Sequence, residues 1–384
     1  MILARKIKLN VKPEQSQILL DTMATYRECF NFVVEYGHSN RITSSSILHN
    51  ATYRLLRDMF PGFPSALVCV ARERARESLK TIKERFGFNT ALPRARKYPA
   101  IRYNLTCCTL GQVKLSLATT RGRIKIDLIK NPILKTGIKN LLKTCEILYK
   151  ASDKTWFVIA FEDVKEPERI PQKDILGIDR GIKNIAVCSN NMFLNSKKLL
   201  NIKNKYRWLR GKLQSKGTRS AKRLLTKVRD RENRFVKDCN HCISKQLVAL
   251  PFDTFVLEKL AIKKSKKLGR NFNKSLGGWS WRQLDTFLTY KALLAGKRVE
   301  YVDPRYTSQK CSVCGTIDKR NRLSVSSFEC TNCSFTLSAD LNASRNIRDS
   351  YIASIGIPDT MQVAVNQPYA SIGMASYRLS VGGS

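Results

Sequence analysis

Two cysteine pairs and three acids are the residues of this chain whose types and spacing could do chemistry. Cys311-Ser-Val-Cys314 and Cys330-Thr-Asn-Cys333 are separated by 15 residues. Four thiolates at this spacing read as a tetrahedral structural Zn2+ site. Seven residues after Cys333 comes Asp340, in Ser-Ala-Asp-Leu-Asn-Ala-Ser-Arg-Asn-Ile. The order suggests a metal knuckle inserted into a catalytic domain. Two further acids share a setting with Asp340: Asp179 follows Ile-Leu-Gly-Ile, and Glu258 follows Phe-Val-Leu. An acid that ends or abuts an apolar element loses hydration unless something compensates it. Two hard divalent cations about 3.5–4 Å apart, Mg2+ for example, would compensate all three and would drive in-line phosphodiester hydrolysis. Each acid also has a plainer reading: a turn carboxylate for Asp179, an edge-strand ion pair with Lys259 for Glu258, a helix N-cap for Asp340.

The elements needed to bring these residues together can be read from periodicity. Ile2, Ala4, Ile7 and Leu9 alternate with basic residues as in a short strand. Pro13 then opens a helix at a favoured first-turn position, with apolar residues at helical spacing from Ile18 to Val34. A second basic helix is expected over 65–86, with Leu67, Val70, Ala71, Ala75, Leu79 and Ile82 on one face. The pattern turns to period two over about 100–163, where short strands joined by glycine turns predict a small antiparallel sheet or barrel. Residues 167–171 read as a linker. Beyond it, Asp174 to Val187 predicts a buried strand, a glycine turn and a second strand. Residues 197–237 hold 16 Lys or Arg against Asp230 and Glu232. With the apolar spacing from Leu224 to Leu247, they predict one long helix with a cationic face. Strands ending at Glu258 and spanning Lys297 to Val302 follow, then a helix opened by Asp340. Strand-hairpin-strand, helix, strand, helix is the element order of an RNase H-like nuclease core.

Composition narrows the class of partner. The chain has 384 residues and a formal charge of +39, from 69 Lys and Arg against 30 Asp and Glu. Such an excess points to a polyanion, foremost nucleic acid, bound with counterion release. Cys29, Cys69, Cys107, Cys108, Cys145 and Cys188 lie in apolar or strand-like contexts and read as buried free thiols rather than a disulfide framework. The first eight residues lack the apolar core of a signal peptide, and no apolar run approaches the roughly 18 residues that span a bilayer. A soluble protein of a reducing, cytoplasmic compartment is expected, nucleoid-associated if prokaryotic, with no membrane and no small-molecule substrate as partner.

Several strings then point to a family. Gly-Ile-Asp179-Arg-Gly-Ile-Lys-Asn, Val-Leu-Glu258-Lys-Leu and Asp-Pro-Arg-Tyr-Thr-Ser-Gln-Lys-Cys311-Ser-Val-Cys-Gly resemble TnpB, the OrfB-type protein of bacterial and archaeal insertion sequences. Phe328-Glu-Cys-Thr-Asn-Cys333 and Ala-Asp340-Leu-Asn-Ala-Ser-Arg-Asn-Ile extend the match, and Pro13-Glu-Gln and Arg27-Glu-Cys-Phe-Asn31 add to it more weakly. The resemblance covers about residues 1–350. It implies an RNA-guided DNA endonuclease related to the ancestors of type V CRISPR effectors. Its implied architecture is α+β and multidomain: a first strand at 1–10 joining a wedge-like β-barrel at 91–166, a helical recognition lobe at 11–90 inserted into it, an RNase H-like (RuvC) nuclease at 172–306 and 339–350, a four-cysteine zinc ribbon at 307–338 that binds target nucleic acid, and a flexible tail at 351–384. Asp179, Glu258 and Asp340 would be the catalytic ligands of Mg2+, most simply a pair of ions. Cys311, Cys314, Cys330 and Cys333 would hold structural Zn2+. The partners would be a guide RNA and double- and single-stranded target DNA. One departure stands out: Ser334 occupies the place after the last ribbon cysteine where the family usually has glycine, which could shift a turn.

Other features offer weaker signals. Lys222, Arg223 and Arg229 lie on the expected cationic helix and are candidate nucleic-acid contacts. Lys263, Lys264, Lys266, Lys267 and Arg270 belong to an acid-free basic run over 259–274, either a guide for single-stranded DNA or heteroduplex, or an ordinary solvated loop. Trp279 and Trp281 could stack on bases or anchor the next helix. Cys239-Asn-His241-Cys242 has the look of a second metal site, but it falls within an expected helix and reads more simply as part of it. A non-cleaving nucleic-acid-binding regulator, or an accessory of DNA transposition, is the alternative to the nuclease. The intact acid triad separates them in favour of the enzyme.

Overall fold

A computed structural model describes residues 1–111, 113–128, 140–260 and 280–356. The chain divides into two compact units, Met1–Lys165 and Glu166–Ser384.

The first unit is built on β1 (Ile2–Asn10). Its alternation buries Ile7 and Leu9 and leaves the intervening lysines in solvent. Three helices interrupt the sheet in sequence: α1 (Pro13–Ser39), α2 (Ser45–Met59) and α3 (Ser65–Phe86). Pro13 starts α1, and the Gln15 side chain accepts from the Lys12 amide at 3.1 Å. The helix α2 escapes the periodicity reading because only Leu48, Thr52 and Leu56 of its residues are buried. Six strands complete the sheet: β2 (Ile101–Tyr103), β3 (Cys108–Leu110), β4 (Lys114–Thr119), β5 (Gly122–Leu128), β6 (Leu141–Lys150) and β7 (Thr155–Asp163). Their order is β2-β6-β7-β1-β5-β4-β3. The first strand is thus the middle one, antiparallel to β7 over Ile2–Lys8 and to β5 at Leu9 and Asn10. The sheet is a nearly closed barrel, because β3 comes back against β6, where the Cys108 thiol donates to the Lys143 carbonyl at 3.8 Å. Helices and barrel share one apolar core containing Tyr26, Val33, Leu79, Leu115, Ile147 and Val158.

The second unit holds a five-stranded sheet of β8 (Ile175–Asp179), β9 (Asn184–Cys188), β10 (Phe193–Asn195), β11 (Thr254–Glu258) and β12 (Arg298–Val302). The order β10-β9-β8-β11-β12, with β8, β11 and β12 parallel and β9 antiparallel, is that of an RNase H-like core. The expected single cationic helix is two helices, α4 (Lys197–Lys216) and α5 (Arg219–Val248). Gly217, in the left-handed region at φ +63°, ends the first, and the Thr218 hydroxyl caps the second by accepting from the Ala221 amide at 3.2 Å. The pair then packs through Leu213, Ala221 and Val228. Next come α6 (Trp281–Leu294) and the four-cysteine module with its hairpin β13 (Ser327–Glu329) and β14 (Thr336–Ser338). The last helix, α7 (Ala339–Ile355), carries helical structure five residues into the expected tail. Residues 357–384 lie outside the described residues, as do the candidates Lys263, Lys264, Lys266, Lys267, Arg270 and Trp279. Among the described residues, no helix is long and apolar enough to cross a membrane.

Candidate active site and metal centre

The sheet of the second unit delivers two of the three acids side by side. Asp179 is the last residue of β8 and Glu258 the last of β11. These strands are parallel neighbours with Leu257 opposite Ile178, so the acids emerge together at the carboxyl edge, where open sheets of this kind bind ligands. The third comes from α7, which lies on β8 at Gly177. A Cβ there would stand 2.1 Å from the Ser344 carbonyl and 2.7 Å from the Arg348 amide, so only glycine admits the helix this close. Asp340 sits in the first turn of α7.

None of the plainer readings describes these acids. Glu258 ends an inner strand flanked by β8 and β12, not an edge, and its Oε1 accepts from the Thr307 hydroxyl at 2.5 Å. Asp340 lies two residues inside its helix, whose N-cap is Ser338, and it accepts from Asn184 Nδ2 at 2.9 Å. Asp179 is the closing residue of a paired strand, opposite Val187. Asp253 shows what a purely structural acid in this sheet looks like. It is 7% exposed, and its two oxygens accept from the Lys173 and Asp174 amides and the Thr254 hydroxyl at 2.6–2.8 Å.

The electrostatics of the triad are unfavourable without a cation. Burial, then the charges of Glu258 and Asp340, push the Asp179 carboxyl up to about 8. Burial also raises Glu258, against the opposing Thr307 hydrogen bond and the charges of Arg180 and Arg322. Hard oxygen donors at the rim of a sheet fit a hard divalent cation, which would offset both the burial and the neighbouring charges that raise Asp179. The three carboxylates are neighbours rather than a closed cage. Among the described residues, only the four cysteines form a group of three or more such ligands within 4.8 Å of one another.

Four residues that sequence reasoning missed complete the site. Arg180 is buried, ion-pairs with Asp285 of α6, and donates to the Glu258 carbonyl at 2.5 Å. Thr307 and Asn184 orient Glu258 and Asp340 as described. Arg322, from the cysteine module, brings positive charge to both Asp179 and Glu258. Of these, only Arg180 had a signal, a basic residue directly after a strand-ending acid.

The cysteine module is two copies of one turn. In the first, the Val313 amide donates to Cys311 Sγ at 3.5 Å and the Gly315 amide to the Cys311 carbonyl at 3.0 Å. In the second, Asn332 donates to Cys330 Sγ at 3.4 Å and Ser334 to the Cys330 carbonyl at 3.0 Å. Gly315 has φ +76° and Ser334 φ +55°, so Ser334 adopts the left-handed conformation of a glycine and the turn is not shifted. The sulfurs face one another, Cys311 to Cys333 at 3.7 Å and Cys314 to Cys330 at 3.5 Å. Four soft donors this close fit Zn2+. Buried Asn321 ties the turns together, donating to the Gln309 and Thr316 carbonyls and accepting from the amide and hydroxyl of Thr331. Two asparagines one turn apart on α7 then fasten the module to the helix that bears Asp340. Asn342 accepts from the Ser312 amide and donates to the Lys310 carbonyl, and Asn346 donates to the carbonyls of Thr307 and Lys310.

Cys239 and Cys242 form no metal cluster with His241 among the described residues. His241 stacks on Phe287 with ring centres 3.9 Å apart, a packing role in α5. Lys222, Arg223 and Arg229 are exposed on that helix.

Two family models match the chain. Residues 156–269 match one described as a probable transposase of the OrfB type, and residues 281–347 match the TNB domain of Cas12f1-like proteins. The chain is 30% identical over 199 residues to the putative RNA-guided DNA endonuclease InsQ of Escherichia coli, covering 46% of this chain and 49% of that protein, so it spans about half of InsQ. A cryo-EM structure of a Cas12f1–sgRNA–target DNA complex superimposes with a TM-score of 0.65 at 18% identity, covering 88% of this chain and 83% of that one, which shows a shared fold. A TnpB-like protein of Methanocaldococcus jannaschii is 31% identical over 256 residues, 61% of this chain and 89% of its own length. With so nearly the whole of that relative contained in it, this chain belongs to the TnpB family.

Proposed function

We propose that this protein is an RNA-guided DNA endonuclease of the insertion-sequence type, hydrolysing a phosphodiester at Asp179, Glu258 and Asp340. The observation that carries the reading is the placement of three acids from three separate elements at one sheet edge, where burial and the charges of Glu258 and Asp340 raise the cost of ionising Asp179. The names of the relatives support the guided nuclease: InsQ as a putative RNA-guided DNA endonuclease, and the Cas12f1 complex with its sgRNA and target DNA. Bound Mg2+, most simply as a pair, would polarise the phosphate and supply a hydroxide nucleophile. The chain's own part is to hold the three carboxylates, with Thr307 and Asn184 fixing two of them and Arg180 tying the end of β11 to α6. The cysteine module holds Arg322 toward the acids, as positive charge for the scissile phosphate. Cys311, Cys314, Cys330 and Cys333 would keep that module folded around Zn2+.

The test is plasmid cleavage by purified full-length protein with its co-purifying RNA. Cutting should require Mg2+ and move when the guide segment of the RNA is changed. Asp179→Ala should abolish it with RNA binding nearly intact. Cutting that stays in place, or needs no RNA, would make the protein a direct DNA reader. Undiminished cutting by the variant would remove the triad, and no cutting at all would leave a non-cleaving regulator.

A further inference from the structure

Tyr306 is costly where it stands, in two respects. Its backbone lies in the left-handed region at φ +63°, where a bulky side chain is a genuine outlier. Its ring is 58% exposed, so packing does not offset that cost. Phe88 shows the ordinary case. It has φ +67°, but its half-buried ring packs on the core of the first unit and meets His38 edge-on at 5.7 Å. Among the described residues, Tyr306 is the aromatic that combines a left-handed backbone with an exposed ring.

The surrounding structure holds the strain in place. The Tyr306 carbonyl accepts from the amides of Gln309 and Lys310, both at 2.9 Å. Just beyond it, Asn346 of α7 donates to the carbonyls of Thr307 and Lys310. Strain kept by over-determined surroundings clusters at ligand-binding and active sites. Here the reaction centre is next door: Thr307, 4% exposed, donates to Glu258 Oε1 at 2.5 Å. The turn that fixes this acid therefore also fixes the ring, one residue away. Its neighbourhood is cationic. The Arg305 side chain is 81% exposed and pairs loosely with Asp303 at 3.8 Å. Exposed Lys259 is held at the same end of the sheet by its amide, which donates to the Val302 carbonyl at 2.9 Å. An apolar partner would leave these cations unanswered, and a bare anion would leave the ring unused. A nucleotide of a single strand answers both, because every base has a π-face and phosphates on either side of it.

We propose that Tyr306 is a stacking platform for a base of the substrate strand, beside the phosphate that meets the acids. The platform rests on the nuclease reading above and adds a register to it: the stacked base fixes which phosphate reaches Glu258. Stacking tolerates any base, so this register is set by distance along the strand and not by sequence.

The experiment uses the full-length, RNA-loaded protein. Tyr306→Gly removes the ring and relieves the left-handed backbone, whereas Tyr306→Phe keeps both. The glycine variant should melt at the wild-type temperature or above it, yet cut roughly 5- to 150-fold more slowly, the loss expected for one stacked base. The phenylalanine variant should cut at close to the wild-type rate. An abasic residue is then walked along the strand across the cut site. At one position it should slow the wild type by a similar factor and leave Tyr306→Gly no slower than on the intact strand. A glycine variant that cuts at the wild-type rate, or that melts lower, would overturn the platform and leave the nuclease standing. Abasic losses equal in both proteins at every position would do the same. If the wild type does not cut at all, 5-iododeoxyuridine walked along the same strand and irradiated still reports the ring. A cross-link to Tyr306 would then keep the platform and sink only the nuclease, and no cross-link would sink both.

Discussion

At the scale of a single residue, Asp179 is the acid of the candidate site whose setting most disfavours charge. Its carboxyl titrates near 8 in the folded chain because it is buried beside two other acids, and near 4 in an unfolded one. Between those values the folded state holds the extra proton, so its stability falls as pH rises through that window. In EDTA the wild-type melting temperature should therefore decline from pH 5 to pH 8 more steeply than that of Asp179→Asn. The variant should gain most at pH 8, by roughly 2–4 °C per kcal/mol recovered. Mg2+ should stabilise the wild type at pH 8 and do little for the variant. Parallel melting curves in EDTA would mean that Asp179 is not under this strain. The placement of the acids was legible in the sequence, since each ends or abuts an apolar element. Their partners were not: Thr307 and Asn184 lie 49 and 156 residues from the acids they bind, and a threonine or asparagine carries no local mark of such a bond.

Between elements, the decisive contact is the fastening of the cysteine module to α7. The spacing of the cysteines announced the module. That its anchors are Asn342 and Asn346 could be known only once the helix faced the Lys310 carbonyl. Thr307, whose carbonyl Asn346 holds, is also the residue that orients Glu258. On the proposed function, folding of the module around zinc would thereby be tied to the three acids. Elemental analysis should give about one zinc per chain for a four-thiolate site, and its removal by a chelator should stop cleavage. Asn346→Ala leaves two carbonyls without this donor, a loss of about 1–3 kcal/mol. It should slow cleavage at unchanged zinc content and nearly unchanged RNA affinity. Full activity in the zinc-free protein would cut this link. The reading of 197–237 as part of one long cationic helix failed for a local reason. Apolar spacing continues on both sides of Gly217, while the left-handed glycine and the Thr218 cap turn the chain between them.

At the scale of the whole molecule the charge of +39 favours a polyanionic partner. Its longest basic stretch, 197–237, maps onto α4 and the first part of α5, which pack on each other through Leu213, Ala221 and Val228 and turn most of their cations to solvent. Arg210 with Glu232 is a local pair that removes one of them. On α4, Trp208 is 61% exposed with the Lys212 ammonium 4.1 Å over its ring, an aromatic surface set among cations as single-stranded nucleic acid requires. If these helices track a phosphate backbone, each cation that meets a phosphate releases condensed counterions, and the logarithm of affinity falls with the logarithm of salt by about 0.9 per contact on duplex DNA. Replacing Lys222, Arg223, Lys227 and Arg229 by Gln should flatten that slope by about 3 if most of the four are in contact. The affinity lost should be large at low salt and small at high salt, with folding unaffected because all four side chains are exposed. Binding measured by titration from low to high salt separates this from a general loss of structure, which would lower affinity at every salt concentration without changing the slope. A variant with the wild-type slope would assign these helices to solvent and move the nucleic-acid surface elsewhere on the protein.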